Sequence, residues 1–180
     1  LILQPGQFFA VVLVVASLPV EIWARPLGGR KYASVVQTVK PAEVIAALGD
    51  DVSRYELMTD GYSPSVTMGY NHRRYWPVFG PASSHARHDD ILTDFRTLAG
   101  RDILIFTKEP PDLADYTPYF REVQVDTVEV RGATFWRVHG HGFDYAAYRE
   151  GVLVPARRLW YAIPRWLPDC GCYFEERYFR

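Results

Sequence analysis

The chain has 180 residues, 48% of them hydrophobic and 23% charged, with a formal net charge of -1. A balance this close to neutral, with no run of Lys or Arg, gives no electrostatic reason to expect a nucleic-acid partner or a polybasic membrane patch. The length suits one α/β domain of ordinary size plus an extra segment, and an aromatic content of 15%, crowded into the last third, predicts a docking surface or a membrane-proximal face.

The opening, L-I-L-Q-P-G-Q-F-F-A-V-V-L-V-V-A-S-L-P-V-E-I-W-A-R, carries no charge before Glu21. Phe8 to Val20 alone falls short of the about 20 residues that a membrane span needs. Counting on to Trp23 and Ala24 brings it near that length, with Trp23 and Arg25 placed as interfacial anchors. A secretory signal would start with Met and a basic segment, and a buried core helix or strand is the plainer alternative. Residues 1–25 are therefore expected to be the C-terminal part of a transmembrane helix, making the chain the C-terminal piece of a longer membrane protein. Residues 26–31, P-L-G-G-R-K, read as a linker, and residues 32–180 as a soluble α/β domain with an aromatic-rich tail.

Tyr32 to Val39 is β-prone, and Pro41 opens a helix, Ala42 to Leu48, with Gly49 as its C-terminal stop. Tyr55 to Thr59 reads as a strand followed by D-G-Y-S-P-S, in which Ser63 is a good N-cap and Pro64 a first helical residue, predicting a helix over Pro64 to Tyr70. Tyr75 to Phe79 reads as a second strand. It leads through Gly80 into a polar loop and a helix over Asp90 to Leu98, whose Ile91, Leu92, Phe95 and Leu98 recur at helical spacing. Asp102 to Thr107 is a third strand, and strands separated by helices predict a small, mostly parallel, three-layer α/β sheet. Asp112 to Phe120 reads as a short helix. Glu122 to Val130 and Ala133 to His139, joined by Arg131-Gly132, then predict an antiparallel edge hairpin. Phe143 to Tyr148 and Val152 to Leu159 read as helical, and the closing W-Y-A-I-P-R-W-L-P-D-C-G-C-Y-F-E-E-R-Y-F-R as irregular. Cys170 and Cys172 stand too close for a relaxed disulfide and read as structural.

The densest polar cluster is Ser83, Ser84, His85, Arg87, His88, Asp89 and Asp90, at the C-terminal end of an expected strand, where open α/β sheets bind ligands. Two imidazoles beside two carboxylates suit a divalent cation, or His85 as a base oriented by Asp89. The plainer alternative is that the two carboxylates complement a helix N-terminus while Arg87 and His88 face water. Asp60, with Tyr62 and Ser63, ends the first expected strand as a nucleophilic or metal-binding Asp does, although a lone Asp there also serves as a turn residue. His139 and His141 point to one side of an extended chain, as two metal ligands must. Arg157, Arg158 and Arg165 lie among the tail aromatics, suited to lipid headgroups or a lipid-linked phosphate.

Taken together, the apolar segment, the Gly-rich linker, D-G-Y-S-P-S, V-F-G-P-A-S-S-H-A-R-H-D-D-I-L-T-D-F-R and the closing Y-x-I-P-x-W-L-P-x-x-x-C-Y-F-x-x-R-Y resemble the C-terminal soluble region of bacterial multi-pass glycosyltransferases. These are integral-membrane enzymes of the GT-C class, related to dolichyl-phosphate-mannose-protein mannosyltransferases, which use polyprenyl-phosphate sugars. The resemblance implies an inner-membrane protein whose soluble domain lies on the periplasmic or extracellular side. Its partners would be its own transmembrane domain, the lipid bilayer and, through the membrane part, the lipid-linked donor. That family carries its catalytic Asp and lipid-phosphate site on early loops and membrane helices, so no catalytic residue maps onto this chain, and any divalent cation would belong to the full enzyme. Two other classes remain open. One is a membrane-anchored binding module with the Asp60 and His85 loops forming a small-ligand crevice, and the other a metal-dependent hydrolase built on His85, His88, Asp89 and Asp60.

Overall fold

The computed structural model describes residues 5–80, 88–164, 166–168 and 170–180. A four-stranded mixed sheet in the order β1-β2-β4-β3 organises the chain, with β1 Glu56–Thr59, β2 Ile103–Thr107, β3 Phe120–Val130 and β4 Ala133–Phe143. Only β1 and β2 run parallel, Glu56 facing Ile103 and Thr59 facing Phe106, whereas β4 is antiparallel to both β2 and β3. The α/β class is as expected, but the mostly parallel sheet is corrected to a mostly antiparallel one.

The correction has a local cause in the second expected strand. Pro77 has no N–H to give to a ladder, and the stretch pairs with β1 only at Thr59 and Val78, through Thr59 N to Pro77 O (3.0 Å) and Phe79 N to Thr59 O (2.8 Å). Trp76 is instead driven into the core, its ring 6.5 Å from that of Phe106 and its indole N–H donating to His72 Nδ1 at 3.0 Å. The expected hairpin is present and longer than expected, because β4 runs on through His139-Gly140-His141-Gly142 to Phe143.

The helices differ from expectation where packing overrides local preference. Tyr32 to Val39 is not extended but belongs to α3, Gly29–Val39, which buries Tyr32, Ala33, Val36 and Gln37 on one helical face despite its β-branched residues. Helix α4, Pro41–Ala47, begins at its proline as read. After a short helix α5, Asp51–Arg54, helix α6 covers Tyr62–His72; extended Gly61 takes the cap position, and Ser63 lies inside the first turn. The expected helix Asp90 to Leu98 splits into α7, His88–Leu92, and a 3-10 turn, Phe95–Leu98, because the Asp94 carboxylate accepts from Arg96 N (3.1 Å) and starts a new cap. Asp112 to Phe120 likewise forms two 3-10 turns, Leu113–Asp115 and Thr117–Tyr119, with Asp112 accepting from Ala114 N. Beyond β4, α8 Tyr145–Tyr148 passes through a π turn, Arg149–Leu153, into α9 Val154–Trp160.

Two apolar clusters sit on the two faces of the sheet. Leu57, Leu104, Phe106 and Phe135 pack with Val36, Val44, Met68 and Trp76 from the first half of the chain. Met58, Ile103, Ile105 and Val138 pack with Phe79, Phe95, Tyr148 and Phe174 on the other face. The tail was expected to be irregular, yet Tyr173–Tyr178 forms helix α10, with Phe174 stacked 3.9 Å from Tyr161 and the Tyr178 hydroxyl within hydrogen-bond reach of the backbone oxygens of Asp90 (2.8 Å) and Thr93 (2.5 Å). Buried Phe174 and Tyr178, four residues apart, are the helical signal that its prolines and aromatics obscured.

The opening segment forms α1, Pro5–Ser17, and α2, Val20–Trp23, separated at Leu18-Pro19. No single helix among the described residues is long and apolar enough to cross a membrane; Pro5–Val15 and Val20–Leu27 together have the length and composition but bend by 112° at their break. Helix α2 is docked, with Val20 and Ala24 buried and Glu21 paired to Arg131 at 2.8 Å, whereas on α1 Phe9 and Leu13 stand 66% and 69% exposed.

Candidate functional site

The parallel pair ends in two matching clasps. Thr59 Oγ1 donates to Gly61 O (3.0 Å) and Thr107 Oγ1 to Glu109 O (2.5 Å), so each strand turns sharply and sets a charged residue, Asp60 or Lys108, at its carboxyl end. Burial pushes the Asp60 carboxyl above its ordinary range, against the favourable charges of Lys108 and Arg30. Burial likewise pulls the Lys108 ammonium down, against the support of Asp60. Both groups are partly stripped of water, and each partly compensates the other. Buried Tyr116 stands within the field of Asp60, and its phenol is pushed up to about 12, chiefly by burial. Arg30 pairs with Glu109 at 3.2 Å across the mouth of a cleft of about 400 Å3 that Tyr32, Lys108 and Trp136 also line. The Arg30–Glu109 pair, the partly desolvated Lys108 and the aromatic wall of Tyr32 and Trp136 are suited to holding a polar organic ligand, with Asp60 beside Lys108 but not lining the cleft.

Sequence reasoning found Asp60 but missed Lys108, Arg30 and Tyr116. The signal available was the symmetry of M-T-D-G and F-T-K-E, each a Thr closing a buried strand before a charge. Tyr62 does not join this cleft. It lines a separate open groove of about 500 Å3 along α6, with Val66, Tyr70, Tyr75, Asp89 and Leu92. The Asp60–Ser63 loop and the segment beginning at Asp89 therefore do meet at one surface, through Tyr62 and Asp89. Ser63 is exposed at the start of α6.

Asp89 is buried and accepts a hydrogen bond from the Tyr75 hydroxyl, whose proton is held more tightly by burial and by that carboxylate. Asp90 is fully buried at the start of α7. Ser84, His85 and Arg87, with the side chain of His88, lie outside the described residues, as does Arg165. Arg157 is engaged internally, paired with Glu175 at 2.5 Å and lying 4.5 Å from the Phe179 ring centre, while Arg158 is exposed on a neighbouring cleft.

His139 and His141 share one side of β4, as the extended-chain reading had it, and flank the ring of Tyr55 at 5.3 and 5.7 Å. Each has a different carboxylate partner: His139 Nε2 lies 3.3 Å from Asp126 and His141 Nδ1 lies 3.1 Å from Asp102. Asp126 is also gripped by both sides of the Arg137 guanidinium, at 2.7 and 2.6 Å, and Asp102 accepts from Gly142 N at 2.9 Å. Burial pushes the Asp126 carboxyl up, but the hydrogen bonds and charges of Arg137 and His139 together hold it below its ordinary range, and the bonds from His141 and Gly142 N do the same for Asp102. Among the described residues no group of three His, Cys, Asp or Glu side chains is placed to hold a metal ion.

The chain matches no protein-family model, no curated protein and no solved structure.

Proposed function

We propose that this chain is the C-terminal extracytoplasmic domain of an integral-membrane glycosyltransferase that uses a polyprenyl-phosphate sugar, with the catalytic groups supplied by the membrane part. The observation that carries the reading is α1, which is apolar all round from Phe8 to Val15 and has no buried side chain among those described, joined to a well-packed α/β body. A helix with no polar face needs cover from lipid or from other apolar helices. Two further observations support it. The two carboxylates that sequence reasoning offered as cation ligands, with Asp89 also as the partner of a His85 base, are largely withdrawn from solvent, Asp89 accepting from Tyr75 and Asp90 fully buried. The cleft lined by Arg30, Lys108 and Glu109 lies at the end of the sheet where α2 docks through Glu21 and Arg131, a position that suits contact with acceptor or with the membrane part.

The test is sugar transfer. Membranes carrying the whole reading frame, supplied with polyprenyl-phosphate hexoses, should release polyprenyl phosphate, and the 180-residue chain alone should not. Turnover of donor by the chain alone would place the chemistry within it and refute the reading. A second reading, a membrane-anchored module that binds a small ligand, is favoured by the groove that Tyr62 and Asp89 share. It is distinguished by saturable ligand binding without transfer by the whole protein.

A further inference from the structure

At the amino end of the parallel pair, away from the docked α2, four guanidinium groups surround one open crevice of about 600 Å3. Arg54 and Arg101 precede β1 and β2, Arg74 follows α6, and Arg121 lies near the start of β3. Four positive side chains there face two negative ones, Glu56 and Asp102, in a chain whose formal net charge is -1.

The two carboxylates are already committed. Glu56 takes Arg74 Nη2 at 2.9 Å on one oxygen and Arg101 Nη1 at 2.5 Å on the other. Asp102 is drawn inward to His141 and Gly142 N. Each guanidinium carries about five N–H donors; the described bonds use two from Arg74, the second reaching Val52 O at 3.2 Å, and one from Arg101. Among the described residues, Arg54 and Arg121 have no hydrogen-bond or ion-pair partner. Arg121 is exposed, with one close backbone neighbour. Its guanidinium lies against Gly142, whose φ of +64° is glycine backbone, and a Cβ at that position would collide with it. The crevice therefore combines a pair of guanidiniums bridged by Glu56, a third lying against Gly142 and a fourth at the rim, with a surplus of donors and of positive charge.

We infer that this crevice is a binding site for phosphate groups, presented by a phosphate ester arriving from the side of the domain opposite the docked apolar segment. Planar guanidiniums in groups match phosphate oxygens in pairs, which single ammonium groups do not. The same chemistry could come from a lipid headgroup. The placement favours an aqueous source, because the opening segment is tied to the other end of the sheet through Glu21 and Arg131. The inference does not rest on the transferase reading.

The probe is inorganic pyrophosphate, titrated calorimetrically into the full chain in a non-ionic detergent. The comparison is with the double variant Arg54→Gln/Arg121→Gln, which removes no described bond. Wild type should bind saturably, more weakly as salt is raised, and the variant should lose at least tenfold in affinity with an unchanged unfolding midpoint. Partition onto vesicles containing phosphatidic acid should be the same for both proteins. Absence of saturable binding, or equal affinity in the variant, overturns the site. A variant that loses its preference for phosphatidic acid while binding pyrophosphate as wild type does overturns the aqueous source and assigns the arginines to the membrane surface.

Discussion

Helices α1 and α3 are of similar length, 13 and 11 residues, but they solve opposite problems. Helix α3 interleaves Arg30, Lys31, Ser34 and Thr38 with Tyr32, Ala33 and Val36, so it has a wet face and a face that closes the first apolar cluster. Helix α1, from Phe8 to Val15, has only Ala and large apolar side chains, and no described side chain in it is buried. The difference teaches that the body of the domain is finished without α1. An apolar cluster lies on each face of the sheet, and the tail helix α10 adds Phe174 and Tyr178 to the second. Apolar surface left over on α1 must be covered from outside, and the transferase reading supplies the cover.

If that division is right, substitutions in the two regions separate cleanly into stability and membrane effects. Trp76→Ala empties a fully buried position beside Phe106 and should cost about 3–5 kcal/mol in denaturant unfolding of the detergent-solubilised chain. Val12→Ala in α1 should stay within about 0.5 kcal/mol in the same experiment; a loss comparable to that of Trp76→Ala would mean that α1 packs on the body and would break the comparison.

Tyr178→Phe removes the hydroxyl placed between the backbone oxygens of Asp90 and Thr93, and should cost about 1–3 kcal/mol. A cost near zero would make the tail an appendage like α1 rather than part of the body.

Asp60→Asn should have a small effect, and pH reveals it. Burial raises the native pKa of Asp60 above its unfolded value, so the native state holds the proton more tightly. The group therefore favours folding fully below the unfolded pKa, and that contribution is lost as pH rises through the native pKa. The variant should unfold at a slightly higher temperature than wild type at pH 7 and lose that advantage near pH 3. The reverse pattern would show that Lys108 and Arg30 outweigh the burial, making the cleft an ordinary ion-pair cluster.

The β2 strand, the β3–β4 hairpin and the proline-led α4 were legible from alternation, turn residues and capping, because each is specified within its own stretch of chain. The sheet's direction was not. It turned on Pro77, whose missing N–H is a local property, and on Trp76 meeting Phe106 and β4 pairing with β2, which are not. Helix α3 was misread because its β-branched residues suggest a strand, while its burial at helical spacing follows from a partner surface elsewhere in the sequence. At the candidate site, Asp60 was visible as a charge ending a strand. Lys108 and Arg30 were not, since their meeting depends on the parallel pairing of β1 with β2 and on how α3 docks. The arginine crevice draws on four separated stretches, which only the fold assembles.

In the chain by itself, with no other apolar helices supplied, lipid is the cover left for α1, and flotation tests this most directly. The full chain, mixed with phosphatidylcholine vesicles and spun through a density gradient, should rise with the lipid, and Leu13→Asp should remain at the bottom with an unchanged unfolding midpoint. A wild-type chain that stays at the bottom, or a Leu13→Asp variant that floats equally well, would contradict it.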